Sequence, residues 1–148
     1  CVSVSVTGVP GRSYRRAPLD VLAAVRHLVG ASFPVFVRLG AHDEYPAGLQ
    51  LHAACRMAGR LAAAGAALID VSGGLAGSDD PGRGPGYFVP YAAAIKKAVT
   101  VPVMVAGGIA TPAHADSIIT EGHADLVGVG RAMLDDPEWA RKAIQALG

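Results

Sequence analysis

The chain contains two cysteines, Cys1 and Cys55, and no asparagine. The two thiols lie far apart in the sequence, and neither has a second thiol or a histidine at the spacing of zinc ligands. The sequence therefore indicates neither a disulfide framework nor a metal site. No apolar run reaches the about 18 residues of a membrane span, and no charged leader precedes an apolar stretch. We expect a protein of the reducing cytoplasm.

The chain has little excess charge of either sign: its net charge is +1, and 17% of its residues are charged. The basic residues are scattered, apart from Arg12, Arg15 and Arg16 near the start. This distribution lacks the basic patch that is typical of binding to nucleic acid or to an anionic membrane, so we expect neither as a partner. Aromatic residues make up 5% of the chain and hydrophobic residues 51%, which is enough for one domain with a mainly aliphatic core.

Short apolar runs recur along the chain at 34–39, 67–72, 101–106 and 124–129. Each is short and apolar enough to be a strand buried on both faces of a parallel sheet. The segments 19–29, 48–65, 87–99, 111–122 and the stretch after 136 carry helical spacing. This order, α(βα)×4, predicts an α/β fold with a parallel sheet and right-handed crossovers. An open four-stranded sheet and half of an eight-stranded barrel both fit the pattern.

The ends of the predicted helices have recognisable residues. Gly65 stands where a left-handed C-cap is expected, and Thr111-Pro112 combines a capping hydroxyl with proline at the first helical position. Asp136-Pro137 repeats that device and predicts one more helix. The inner face of this last helix is expected to be Trp139, Ala143, Ile144 and Leu147.

Two glycine-containing turns follow the last two predicted strands. Gly107-Gly108 comes directly after the third, and Gly130-Arg131 follows the fourth. Successive backbone N–H groups in such turns bind anions, and an arginine adds a fixed charge suited to bidentate phosphate contact. Together they predict a phosphate site of the kind that barrels make after their last two strands. The alternative is two unrelated tight turns.

Three polar residues lie on the first two predicted strands. Arg38 interrupts an apolar run, so its guanidinium is expected to face either a bound anion or the carboxylate of Asp70. Ser72, two residues after Asp70, stands where its hydroxyl can donate to a phosphate.

Among the histidines, His42 has the best position to face a substrate. No order of residues typical of a nucleophilic or metal-dependent site is present.

A stretch rich in glycine, proline and aspartate, 73–86, follows the second predicted strand. It therefore belongs to the edge of the sheet where barrels build their active sites. Either a lid over a site or a surface loop without a role fits this composition.

Several of these segments resemble one known family. They are Phe-Pro-Val-Phe-Val-Arg-Leu, Leu-Ile-Asp-Val-Ser-Gly-Gly, Gly-Tyr-Phe-Val-Pro-Tyr, Val-Pro-Val-Met-Val-Ala-Gly-Gly-Ile and Ala-Asp-Leu-Val-Gly-Val-Gly-Arg. From about Leu19 to Leu147 the chain resembles the C-terminal half of Old Yellow Enzyme-like NADH:flavin oxidoreductases. The resemblance implies that 18–148 is half of a (β/α)8 TIM barrel, with four parallel strands alternating with helices. It also implies FMN as cofactor, NADH or NADPH as reductant, and hydride transfer to an activated alkene.

The same resemblance assigns roles to individual residues. Arg38 would lie at the pyrimidine edge of the flavin, where a positive charge stabilises the reduced ring. Gly107 and Gly108 would bind the FMN phosphate together with Gly130 and Arg131. Ser72, at the end of the family's sixth strand, is expected to bind the cofactor as well.

The chain also departs from the family. The family's first four strands and its substrate-activating His pair or His-Asn pair are not in this sequence, so we assign no catalytic residue. Residues 1–17 look unrelated to the family, and the chain begins with Cys, which predicts a piece of a longer reading frame. We expect this fragment alone to be inactive, with a small-molecule substrate for the whole protein and either a second copy or an N-terminal half-barrel as partner. The alternatives are another phosphate-binding barrel, such as an isomerase or aldolase, and a non-catalytic half-barrel.

Overall fold

A computed structural model describes residues 16–43, 48–74 and 83–148. Most of the expected N-terminal segment, 1–15, and part of the glycine-rich stretch, 75–82, lie outside these residues, so the expectations about them stay expectations. The elements are α1 (Ala17–Val29), β1 (Phe36–Gly40), α2 (Leu51–Ala63), β2 (Leu68–Ser72), α3 (Val89–Lys96), β3 (Val103–Ala106), α4 (Pro112–Thr120), β4 (Leu126–Gly128), α5 (Arg131–Asp135) and α6 (Trp139–Leu147).

The four strands form one parallel sheet in the order β1-β2-β3-β4. Neighbours in the sheet are also neighbours along the chain, and crossovers of this kind are right-handed. The helices between the strands therefore lie on one face of the sheet. The predicted α/β fold is confirmed, and its architecture is that of half of a (β/α)8 barrel.

The core lies between the sheet and the helices. The strand side chains that point to the helices are almost completely buried, none exposing more than 5% of its surface: Val37, Leu39, Ile69, Val71, Val103 and Val105. On α2 the opposing residues Ala54, Ala58 and Leu61 are fully buried. Small alanine side chains allow the helix to approach the sheet closely, so the core is filled without many aromatic rings.

The other face of the sheet is open at its edges. Phe36 on β1 and Leu126 on β4 expose 42% and 43% of their surface. The expectation that every strand is buried on both faces is confirmed for β2. It holds in part for β3, where Met104 and Ala106 are half-buried, and it is wrong for the two outer strands, β1 and β4. These two strands are the edges of the sheet, so each has a neighbouring strand on one side only.

Most of the predicted helix ends are confirmed. Gly65 follows α2 with a φ of +97°, and Thr111 Oγ1 accepts a hydrogen bond from the N–H of His114 at the start of α4. Asp136 does not cap α6, which begins at Trp139. Its carboxylate instead accepts from the N–H of Glu138 and pairs with Lys142. The short helix α5 was not predicted.

The expected inner face of α6 is wrong at two positions. Ile144 and Leu147 expose 73% and 52% of their surface, whereas Ala143 is buried. The helix packs mainly on α4 and α5 rather than on a strand. A helix that contacts only other helices in this way buries a narrow stripe, so its remaining apolar side chains stay at the surface.

Cys55 on α2 is a half-buried free thiol. Burial raises the pKa of the Cys55 thiol, which keeps the group protonated and weakly reactive at neutral pH. Within the described ranges, none of the helices is long and apolar enough to cross a membrane. The same ranges hold no group of three or more His, Cys, Asp or Glu side chains arranged to bind a metal ion.

The edges of the sheet generate a prediction about assembly. Parallel edge strands with exposed apolar side chains pair readily with other strands, so the 148-residue chain should self-associate. Light scattering should give at least twice its mass of 15.0 kDa. The variant Phe36→Lys places a charge on one edge and should lower the measured mass. A parent chain that stays monomeric at about 50 μM, well within the concentrations at which exposed edges associate, would contradict the prediction.

Candidate functional site

A cavity of about 310 Å³ opens at the carboxyl ends of β3 and β4. Five of the six residues predicted to bind the cofactor line it: Arg38, Gly107, Gly108, Gly130 and Arg131. Because the carboxyl ends of parallel strands meet at one edge of a sheet, two turns that are 23 residues apart in sequence share one space. We call this space the β3–β4 cavity.

The sixth predicted residue, Ser72, does not line the β3–β4 cavity. It is the last residue of β2, paired in register with Gly40, and its hydroxyl donates to the carbonyl oxygen of Gly73 at 3.2 Å. A role for Ser72 toward a cofactor stays a prediction.

Arg38 contacts one of the two partners expected from the sequence, the carboxylate of Asp70, and also lines the cavity. Its guanidinium Nη1 lies 3.4 Å from Asp70 Oδ2, on the neighbouring strand at the same register position. The Arg38 side chain is nonetheless 46% exposed, and it lines the β3–β4 cavity. A long side chain can contact a carboxylate on one side and a ligand on the other, so the structural and the cofactor-binding interpretations are compatible.

Asp70 is the buried member of this ion pair. Its side chain is 10% exposed, and Oδ1 has no hydrogen-bond partner among the described residues. Burial raises the pKa of the Asp70 carboxyl, and the positive charge of Arg38 opposes that rise. Burial is the stronger influence, so the pKa of the carboxyl lies above its ordinary value even with a cation in contact with it.

The turn at Gly107-Gly108 requires glycine for conformation and for space. The φ angles are +124° and +67°. A Cβ added at Gly107 would lie 2.5 Å from Tyr87 Cε2, and one added at Gly108 would lie 2.9 Å from the backbone nitrogen of Gly86. The Gly86 N–H also donates to the carbonyl oxygen of Gly108 at 3.3 Å. The backbone of this turn is therefore in direct contact with the turn that precedes α3.

Tyr87 also lines the cavity, although its place in the sequence predicted only the start of a helix. Its ring packs on Gly107 and Gly108, and its hydroxyl oxygen accepts a hydrogen bond from Arg131 Nη2 at 3.1 Å. The ring meets Phe88 edge to face, with centroids 4.5 Å apart. A single tyrosine between a glycine-rich stretch and a helix has no periodicity, so no sequence pattern indicated its contacts.

The second turn is built differently from the first. Gly130 is the residue before α5, with a φ of −107°, and a Cβ added there would have no atom within 4 Å. Arg131 is the first residue of α5 and is exposed. Open space on this side of the cavity, facing the arginine, leaves room for a bound group.

The far end of the cavity is connected to α6. Trp139 Nε1 donates to the carbonyl oxygen of Ala110, which lines the cavity, at 2.7 Å. Since Trp139 opens α6, the loop after β3 is tied to the C-terminal helix. Its position therefore depends on α6 packing against α4.

His42, the histidine with the best position to face a substrate, does not line the β3–β4 cavity. Its ring lies 5.7 Å from that of Tyr91, and Nδ1 is buried without a hydrogen-bond partner among the described residues. The neighbouring Asp43 is 1% exposed, and its carboxylate accepts from the N–H of Leu49 at 2.6 Å. The part of this loop at 44–47 lies outside the described residues.

The crowded glycine turn generates a prediction. Gly107→Ala would force a side chain into the Tyr87 ring at a φ that disfavours alanine, and we expect a loss of about 1–3 kcal/mol in the free energy of unfolding. Denaturant titration measures it. Gly130→Ala is the matched control, because a Cβ there meets open space and stability should hardly change. Equal stability of the two variants would contradict the described packing.

The raised pKa of Asp70 generates a second prediction. A carboxyl whose pKa is higher in the folded state than its ordinary value of 3.8 favours folding most when protonated. That contribution is lost as the pH rises above the ordinary value toward the folded-state pKa. The stability of Asp70→Asn minus that of the parent should therefore be larger at about pH 7 than at about pH 4. Asp116→Asn, at an exposed position on α4, is the control. It removes the same charge without removing a buried carboxyl, so it separates the effect of burial from the effect of losing a charge. A difference that stays constant with pH would be inconsistent with the buried carboxyl.

Comparison with known sequences identifies relatives of this chain. The NADH:flavin oxidoreductase / NADH oxidase family matches residues 12–148. An NADH oxidase of Thermoanaerobacter brockii is 37% identical over 133 residues, which cover 86% of this chain and 20% of the relative. An NADPH dehydrogenase of Geobacillus sp. (strain WCH70) is 34% identical over 141 residues, covering 95% of this chain and 41% of the relative.

Solved structures share the fold. 2-Naphthoyl-CoA reductase in complex with 2-naphthoyl-CoA has a TM-score of 0.81 at 23% identity, covering 90% of this chain and 21% of that one. Morphinone reductase in complex with tetrahydroNAD has a TM-score of 0.66 at 19% identity, covering 91% of this chain and 35% of that one.

The chain spans between about a fifth and two fifths of the length of these relatives. The cofactors expected from the sequence, FMN and NAD(P)H, are those of the matched family. The resemblance stated from the sequence is thus confirmed, and the chain belongs to the NADH:flavin oxidoreductase / NADH oxidase family.

Proposed function

We propose that this chain is the cofactor-phosphate half of an FMN-dependent oxidoreductase of the Old Yellow Enzyme type. The whole protein would pass hydride from NADH or NADPH through FMN to an activated alkene. One observation carries the proposal: Arg38, the Gly107-Gly108 turn and Arg131 line a single cavity at the carboxyl ends of parallel strands. The family match favours this chemistry over that of an isomerase or aldolase.

The β3–β4 cavity would hold the phosphate end of FMN. Gly107 and Gly108 line it without side chains, because a Cβ at either would collide with Tyr87 or with the backbone of Gly86. Backbone N–H groups in such a turn are suited to bind an anion. Arg131 supplies a permanently charged fork that matches phosphate oxygens. The open space at Gly130 gives the phosphate room between the two turns. These residues would hold the phosphate.

Arg38 lines the same cavity from β1 and would contact the flavin rather than its phosphate. When bound, FMN supplies the hydride relay between NAD(P)H and the alkene. The Arg38 guanidinium is fixed by its contact with Asp70 Oδ2 at 3.4 Å, so its charge is oriented before any ligand arrives. The Arg38 side chain is 46% exposed despite this contact, so its positive charge remains accessible to an electron-rich ring.

Substrate activation would fall to residues of the whole protein that this chain does not supply. His42 and Ser72 do not line the cavity, and we assign no proton donor to this chain. We therefore propose that the fragment alone does not reduce alkenes. The substrate of the whole protein would be a small molecule, and the free Cys55 thiol fits a reducing cytoplasm.

A second candidate function is a non-catalytic half-barrel that depends on a partner. The exposed apolar residues Phe36 and Leu126 at the two sheet edges favour it. The two candidates differ in one measurable property, the binding of FMN. A flavin site that serves catalysis should bind FMN, whereas a purely structural half-barrel should show no preference for it. Flavin binding by the chain therefore decides between them.

The phosphate contact generates a prediction. Arg131→Ala should weaken FMN binding by roughly 1.5–3 kcal/mol, the range for a hydrogen bond to a charged group. Binding of riboflavin, which has no phosphate, should be unchanged. Fluorescence titration of the 148-residue chain with each flavin measures both.

The matched control is Arg141→Ala, which removes the same charge from the exposed side chain that pairs with Glu138 on α6. It should leave both flavin affinities as in the parent. Unchanged FMN affinity in Arg131→Ala would remove the basis of the proposal, and so would a parent chain that binds the two flavins equally.

A further inference from the structure

We propose that Tyr87 is a positioning residue of the phosphate site: its hydroxyl holds the Arg131 guanidinium beside the Gly107-Gly108 turn, so that the chain selects flavins that carry a phosphate. The inference rests on the proposed function and adds a residue that determines cofactor selectivity. Three features carry it, namely the packing of the Tyr87 ring, the hydrogen bond from Arg131, and the chemistry of a phenol beside a phosphate.

The Tyr87 ring is held from three sides. A Cβ at Gly107 would lie 2.5 Å from its Cε2 atom, and one at Gly108 would lie 3.0 Å from its Cδ1 atom, so the ring rests directly on the glycine turn. The Phe88 ring, 3% exposed, meets it edge to face. The Gly86 N–H ties the preceding residue to the carbonyl oxygen of Gly108. The position of the hydroxyl is therefore determined by the glycine turn itself.

Arg131 lacks such support from its own helix. It is exposed and opens α5, a helix of five residues. A long exposed arginine side chain samples many rotamers, and ordering it costs conformational entropy. The hydrogen bond that the structure gives its guanidinium goes from Nη2 to Tyr87 Oη, at 3.1 Å. This hydrogen bond holds the guanidinium at a place that the packed ring determines.

The chemistry of the phenol suits an anion at this place. A tyrosine oxygen that accepts from arginine still carries its own proton, which it can donate to a phosphate oxygen. Tyr87 and Arg131 both line the β3–β4 cavity. The pair would present the charge of the guanidinium and the phenol proton to the same phosphate. A flavin without a phosphate would gain no contact from either group.

The experiment compares FMN with riboflavin on the 148-residue chain. Tyr87→Phe keeps the ring on the glycine turn and removes the hydroxyl alone. We expect FMN binding to weaken about three- to tenfold, as for the loss of one ordinary hydrogen bond, and riboflavin binding to stay as in the parent. Tyr91→Phe is the matched control, because the Tyr91 ring contacts His42 and Phe88 and is not part of the cavity lining.

A second measurement tests whether Tyr87 acts through Arg131. In an Arg131→Ala background, Tyr87→Phe should weaken FMN binding by clearly less than it does in the parent, because the two residues form one unit. The same loss in both backgrounds would overturn the positioning role.

Other outcomes also separate the alternatives. Equal weakening of FMN and riboflavin by Tyr87→Phe would show a general structural role and overturn the proposal. Tighter FMN binding would overturn it too, since the hydroxyl would then compete with the phosphate for Arg131. A parent chain with no preference for FMN over riboflavin would overturn the proposed function itself. A parent preference that survives Tyr87→Phe intact would overturn only the inference about Tyr87.

Discussion

The site depends on the close approach of two backbone segments, the turn after β3 and the turn before α3. No side chain fits between them, because a Cβ at Gly107 would collide with Tyr87 and one at Gly108 with the backbone of Gly86. This contact excludes side chains from the turn that lines the β3–β4 cavity and places the Tyr87 hydroxyl within hydrogen-bond distance of Arg131. The glycines lose more conformational freedom on folding than other residues, so the contact is maintained by the packing around it, above all by the buried ring of Phe88.

Charge in the site follows from where the arginines lie rather than from the number of charged residues. The chain is nearly neutral overall, yet two arginines line one cavity. Arg38 contacts the carboxylate of Asp70, and burial raises the pKa of that carboxyl. Arg131 donates to the hydroxyl of Tyr87 rather than to a carboxylate. Both arginine side chains also remain exposed, so two positive charges face one cavity in a chain that is nearly neutral overall.

The sequence was sufficient for the periodic features and for the turn chemistry, and insufficient where contacts join distant segments. The alternation of apolar runs with helical spacing predicted the parallel sheet. Gly107, Gly108 and Arg131 were selected because they follow buried strands, and they line one cavity, whereas their role toward a phosphate stays a proposal. Tyr87 was missed because its role depends on two segments that are distant in sequence. The exposed Ile144 was misassigned for a related reason: helical spacing shows that a face is apolar, whereas the neighbouring elements decide whether it is covered.

The two ends of the site differ in how far the described residues complete them. At the phosphate end, both turns, the arginine and the tyrosine that holds it come from consecutive units of the chain, and their contacts are local to β3, β4 and the turn before α3. At the Arg38 end, one strand contributes, and that strand is an edge of the sheet with Phe36 exposed beside it. Binding energy for a cofactor would thus be available from this chain mainly through its phosphate, whereas orientation of the flavin ring would require groups on the open side of β1. A half-barrel of this kind is expected to recognise FMN by its phosphate before it can direct chemistry at its ring, because recognition needs few ordered contacts and catalysis needs a complete set held in place.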